Sequence, residues 1–180
     1  VNNGINDTVY PQVADFTFYG GLYRGVNLIC VGESHFDLSY HGSPAIRVTP
    51  VVNGRDALVK VRTFVTKRKE QHKFQYIIRN AKGEVLADVT GDASKAQITI
   101  LNAHLWNGRK DPYLYSVQVN LLDGEEILDT VSTRFGCRSF YIDPEKGFIL
   151  NGAEYPLRGV ARHQDRWDFG NALLPQHHEE

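Results

Sequence analysis

Ala57-Leu58-Val59-Lys60-Val61-Arg62-Thr63-Phe64-Val65 decides the fold. Small or β-branched residues at 57, 59, 61, 63 and 65 alternate with larger or charged residues at 58, 60, 62 and 64. A period of two places the first set on one face of a strand and the second set on the other. Just upstream, Asn53-Gly54 is a turn dipeptide, and residues 45–52 read as the strand before it. Downstream, Lys67-Arg68-Lys69-Glu70 reads as a solvated, charged turn rather than an anion site. The same pattern continues along the chain. Strands are expected over 72–79 and 84–89 around Asn80-Ala81-Lys82-Gly83, over 96–101, and over 113–121 and 126–134 around Leu122-Asp123-Gly124-Glu125. That makes seven strands over residues 44–138, the count of an immunoglobulin-like sandwich. The expected fold class is therefore all-β: an immunoglobulin-like antiparallel β-sandwich with flanking strand segments. A buried core is predicted at Val59, Val61, Phe74, Tyr76, Ile98, Ile100, Leu114, Val117, Val119 and Val131. No Cys…Trp…Cys spacing appears, so an antibody-type domain is not expected.

Outside the sandwich the pattern changes. Residues 22–31 read as a strand, and 35–43 as a linker strand ending in Gly42-Ser43-Pro44. Beyond Arg138, Phe140-Tyr141-Ile142 and Phe148-Ile149-Leu150 flank Asp143-Pro144-Glu145-Lys146-Gly147 as a hairpin. Asn151-Gly152 turns the chain again, and 157–161 read as a short buried strand. Trp106, Tyr113 and Tyr115 can plug one end of the sandwich and present their polar tips at its rim.

The net charge of −1 gives no electrostatic argument for nucleic acid or an anionic membrane. No apolar run approaches the roughly 18 residues of a membrane-spanning helix, and no signal peptide is legible. Cys30 and Cys137 lie in separate strand-like runs and read as free, packed thiols. The redox compartment is not readable from them. The chain has no methionine, so it reads as an internal piece of a longer protein.

Two segments carry more specific information. Asp15-Phe16-Thr17-Phe18-Tyr19-Gly20-Gly21-Leu22-Tyr23-Arg24 is dense in aromatic, glycine and charged residues. So is the run from Phe148 to His163, which contains Leu157-Arg158-Gly159-Val160-Ala161-Arg162-His163-Gln164-Asp165. Together they resemble the two ends of the middle region of family 2 glycoside hydrolases, above all the large beta-galactosidases. Leu105-Trp106-Asn107, followed by Asp111-Pro112-Tyr113-Leu114-Tyr115, matches a further family pattern. The resemblance implies three parts: the end of a sugar-binding jelly roll over 1–34, the sandwich over 35–138, and entry to a (β/α)₈ barrel over 139–180. It implies that the parent is a retaining beta-galactosidase and that this portion links its sugar-binding and catalytic domains. The same region of a beta-glucuronidase or beta-mannosidase is an alternative, as is a stand-alone carbohydrate-binding or adhesion module.

A retaining glycosidase needs two carboxyl groups about 5–5.5 Å apart. The resemblance places both glutamates on later barrel strands, so the catalytic set in this chain is expected to be empty. Glu154, Glu179 and Glu180 are poor substitutes. Two residues match substrate-side positions of the family. Asp15 matches an aspartate that binds sugar hydroxyls and a sodium ion. His163 matches a histidine at the C-terminal end of the first barrel strand, where barrel active sites are built. Ala161 stands where the family often has Asn. Arg162 and Asp165 read as a structural ion pair. His177 and His178 lack a third metal ligand nearby in sequence. No cofactor is expected in the chain itself, with magnesium and sodium expected in the parent. The expected partners are a galactoside substrate and a second copy in a homo-oligomer, with neither nucleic acid nor membrane. Cytoplasm and periplasm are equally compatible with these residues.

Overall fold

The computed structural model describes residues 4–8 and 17–179. The chain divides into two compact units, Cys30–Leu157 and a second made of Val1–Ile29 with Arg158–Glu180. The larger unit is built on twelve strands. These are β1 (His35–Phe36), β2 (Ile46–Asn53), β3 (Asp56–Thr63), β4 (Val65–Thr66), β5 (Lys73–Arg79), β6 (Val85–Gly91), β7 (Lys95–Ile100), β8 (Tyr115–Asp123), β9 (Glu126–Phe135), β10 (Phe140–Asp143), β11 (Gly147–Leu150) and β12 (Ala153–Glu154).

The alternation at 57–65 forms β3, the centre of a three-stranded antiparallel sheet ordered β2-β3-β7. A four-stranded antiparallel sheet, β6-β5-β8-β9, faces it across the core. Pro50 sits in β2, which pairs with β3 alone. An edge strand tolerates a residue with no N–H to donate.

Eight of the expected core residues are buried: Val59, Val61, Phe74, Tyr76, Ile98, Ile100, Val117 and Val119. Removing each such aliphatic or aromatic side chain from water contributes about 1.5–3 kcal/mol. Leu114 and Val131 are half-buried instead. Leu114 precedes β8, whose inward positions are Tyr115, Val117, Val119 and Leu121. Val131 pairs with Val119, but on the edge strand β9, where one flank stays open. The buried Tyr76 hydroxyl donates to the Ala93 carbonyl at 2.8 Å, and burial pushes its pKa up to about 12. A buried phenol needs such a partner.

The linker strand expected over 35–43 shortens to β1, which pairs with β4. Asp129 on β9 anchors it by accepting the Phe36 N–H at 2.8 Å. The hairpin beyond Arg138 is present as β10-β11-β12. The strands expected over 22–31 and 157–161 do not form. A strand exists only through its ladder partner. Among the described residues none pairs with either segment, and both are exposed along most of their length.

Candidate functional site

The second unit gathers the two motif-bearing segments. Asp15 and Phe16 lie outside the described residues, so the placement of Asp15 relative to His163 is not described. The rest of the first motif meets the second segment directly. Arg24 donates from Nη2 to Oε1 of Gln164 at 3.3 Å. Tyr19 lies against the turn Arg166-Trp167-Asp168-Phe169-Gly170, where a Cβ on Gly170 would come within 2.7 Å of its ring. That turn is closed by Gly170 N–H to the Arg166 carbonyl at 2.9 Å, with positive φ at Asp168 and Gly170. Glycine at 170 therefore does two things. It adopts a left-handed backbone without penalty, and it leaves room for an aromatic ring from the other segment. Among the described residues the flanks contribute no strand to any sheet, and they cluster with one another.

His163 is exposed between Arg162 and Gln164. Arg162 does not pair with Asp165. Its Nη2 donates to Nδ1 of His178 at 2.8 Å, which requires the tautomer with Nδ1 unprotonated. His177 accepts the Leu174 N–H at its own Nδ1, 3.1 Å away, within the short 3₁₀ turn Pro175–His178. The two histidines thus cap and brace a turn. Among the described residues no three His, Cys, Asp or Glu side chains gather as metal ligands. Asp15, the residue matched to a sodium ligand, lies outside the described residues.

Arg24, Gln164, Asn171, Leu173 and His178 line a cleft of about 190 Å³. Among the described residues its polar groups are a guanidinium, two amides and an imidazole, with no carboxylate. Such a wall can hold hydroxyls or an anionic substituent, but it offers no acid/base pair. Glu154 and Glu179 are exposed and stand outside that cleft.

A second cluster was not legible in the sequence beyond its aromatic content. At the end of the sandwich, His104 Nε2 lies 2.6 Å from Oδ2 of Asp111, and the His104 ring stacks on Tyr113 at 3.9 Å between centroids. Tyr115, whose pKa burial raises, accepts the His104 N–H at 2.8 Å. Trp106 is held from three sides. Its N–H donates to the Cys137 carbonyl at 2.8 Å, its carbonyl accepts from Asn151 Nδ2 at 3.0 Å, and Arg138 lies 5.0 Å over its ring. Asn151 also reaches Asn107 Oδ1 at 2.7 Å and accepts the Ser139 N–H at 2.9 Å. The Tyr155 hydroxyl occupies the place a side chain at Gly108 would take and accepts the Arg109 N–H at 3.2 Å. These contacts tie the loop 104–111 to the segment 151–155. The signal for it lay in spacing too long to read: residues 104–111 and 151–155 meet only in the fold.

Cys137 is wholly buried, and burial pushes its thiol up to about 11. Cys30 is exposed, contrary to the expected packed thiol, because the strand meant to shelter it does not form.

The family model for glycosyl hydrolases family 2 matches residues 44–138. A beta-glucuronidase of Bacteroides fragilis is 38% identical over 99% of the chain and 27% of its own length. The beta-galactosidase large subunit of Lactobacillus helveticus is 28% identical over 86% of the chain and 24% of its own. Among solved structures, an FMN-binding beta-glucuronidase from Facaelibacterium prausnitzii L2-6 superposes with a TM-score of 0.92 at 41% identity, over 99% of the chain and 28% of that protein. The chain thus spans about a quarter of the length of the relatives it matches.

Proposed function

The chain belongs to glycosyl hydrolases family 2, and from that premise we infer that it is the linking segment of a retaining β-glycosidase whose substrates are β-glucuronides. The observation that carries the inference is the junction of the two motifs. Arg24 of the first meets Gln164 of the second beside a cleft bounded, among the described residues, by a cation, amides and an imidazole. An arginine so placed suits a carboxylate-bearing sugar through charge-assisted hydrogen bonds. The similarity to beta-glucuronidases over the whole chain, at 38% and 41% identity, supports the same substrate class.

Within this proposal Asp15 and His163 contribute hydroxyl contacts to the bound sugar, and the two catalytic carboxylates are supplied from outside the 180 residues. In this reading the sandwich is the covalent link between the segment carrying Asp15 and the segment carrying His163. A β-galactosidase is the second reading, favoured by the similarity to the Lactobacillus helveticus subunit and by the Asp15–Arg24 motif. The test is kinetic. The longer protein is assayed on nitrophenyl β-D-glucuronide and nitrophenyl β-D-galactoside. A kcat/KM ratio of at least about a hundredfold for the glucuronide is expected, since a site built for a charged group rejects the analogue lacking it. A ratio reversed in favour of the galactoside would leave the second reading. The 180-residue chain alone is expected to hydrolyse neither sugar above background.

A further inference from the structure

The outward face of the sheet β2-β3-β7 is unusual in its charge. Arg47 pairs with Arg62 across β2 and β3, and Arg62 pairs with Lys95 across β3 and β7. Three cations therefore stand in one row across three strands, spanning about 10 Å at normal strand spacing. Lys60 stands in the adjacent row, between Thr49 and Gln97. All six side chains are exposed. Directly opposed like charges destabilise an antiparallel pair, and here the arrangement is repeated twice in succession. No ion pair to any of the four cations occurs among the described residues. The acid on this face, Asp56, stands at the far end of β3 and is engaged by the Asn102 N–H at 2.9 Å.

The row is also shaped. These six residues border a groove of about 430 Å³, within the range of small-ligand sites. No acidic residue among the described ones lines it. Arg62 is held in place by its ring contact, with its guanidinium 5.0 Å over Phe64, which in turn stacks on Tyr40 at 3.9 Å. A guanidinium braced on one face keeps its N–H edge for a carboxylate and loses less freedom on binding. Thr49 and Gln97 add hydroxyl and amide partners that suit sugar hydroxyls. No aromatic ring among the described residues lines the groove, so they give the stacking of a neutral sugar no platform.

We propose that this basic sheet face is an ancillary binding site for an acidic oligosaccharide, with the carboxylates of successive uronic acid residues on Arg47, Arg62, Lys95 and Lys60. The proposal rests on the β-glucuronide reading for the source of the ligand and not for the chemistry of the face. A site here would hold an acidic glycan chain near the enzyme while a terminal unit is removed elsewhere.

The test titrates the 180-residue chain with a hexameric oligogalacturonate, using a neutral glucan hexamer, poly-glutamate and a 12-nucleotide single-stranded DNA as comparators. Binding of the oligouronate, absent for the glucan, is expected to weaken about tenfold in R62Q and further in the R47Q/R62Q double variant. Both variants should melt at or above the parent temperature, because removing an opposed like charge relieves repulsion. Affinity should also fall steeply with added salt. Binding of poly-glutamate or the DNA as tightly as the oligouronate would overturn the glycan assignment, and oligouronate affinity unchanged in the folded double variant would overturn the site. The longer protein separates the two proposals. Failure to cleave nitrophenyl β-D-glucuronide with oligouronate binding intact removes the substrate reading and leaves the basic face standing.

Discussion

Val59, Phe74, Ile78, Val117 and Val119 in the sandwich unit are wholly buried, whereas Leu28, Val160 and Trp167 in the flanking unit are 92%, 95% and 89% exposed. The two units differ in how sequence specifies structure. In the sandwich each strand meets a partner within the unit, and the inward residues of one sheet cover those of the other. In the flanks, contacts among the described residues include Arg24 to Gln164, Tyr19 against Gly170 and Arg162 to His178.

The largest test of this contrast is a core truncation. Phe74→Ala, at a wholly buried position, is expected to cost about 3–5 kcal/mol in chemical denaturation. A loss under 1 kcal/mol would mean the sandwich is not the stabilising unit. A second test sharpens the point within the sandwich. Gly108→Ala introduces a Cβ into the space of the Tyr155 hydroxyl at a φ of +62°. It is expected to cost about 1–3 kcal/mol, and part of that cost should vanish in a Gly108→Ala, Tyr155→Ala double variant. Full additivity would show that backbone strain alone is responsible.

Alkaline pH gives a third test. The folded state holds Tyr76 at about 12 and Cys137 at about 11, both raised by burial. A raised acid binds its proton more tightly when folded, so the stability it contributes is complete below its ordinary value and is lost as pH rises through the folded one. The unit should therefore lose stability between about pH 9 and 12, and Tyr76→Phe should flatten that decline. An unchanged slope would place the titration elsewhere. The cysteines offer a companion measurement, since Cys30 should react readily with a thiol reagent at pH 8 and Cys137 only after unfolding. The smallest expected effect is Trp167→Ala, which should change stability by less than about 0.5 kcal/mol. A cost of several kcal/mol would mean that this indole is covered in solution.

The sandwich was legible because its information is local. Period-two alternation at 57–65 and turn residues such as Asn80–Gly83 act within a few positions, and the seven expected strands over 44–138 are present. Leu114 went astray because it is out of phase with Val117 and Val119: a period of two puts Tyr115 on their face, and β8 begins there, two residues later than expected. The strands expected over 22–31 and 157–161 failed because β-branched composition records a tendency to pair and not the presence of a partner. Arg162 turning to His178 instead of Asp165 is a contact across sixteen residues, beyond what spacing reveals. The family resemblance was legible in the motifs. The junction of Arg24 with Gln164 needed coordinates, because two segments 140 positions apart carry no mutual signal in one sequence.

Asn151 binds Trp106, Asn107 and Ser139 through one amide, and its own N–H adds a bond to the Ser139 carbonyl at 2.8 Å. In mechanical terms this is a rivet. Tension on the chain beyond β12 would load these four hydrogen bonds side by side before it reached any ladder of the sandwich. A parallel set yields only when its members break together, so the hairpin transmits force as a stiff strut. Asn151→Ala would turn that strut into a peelable tab while leaving every strand of the sandwich in register.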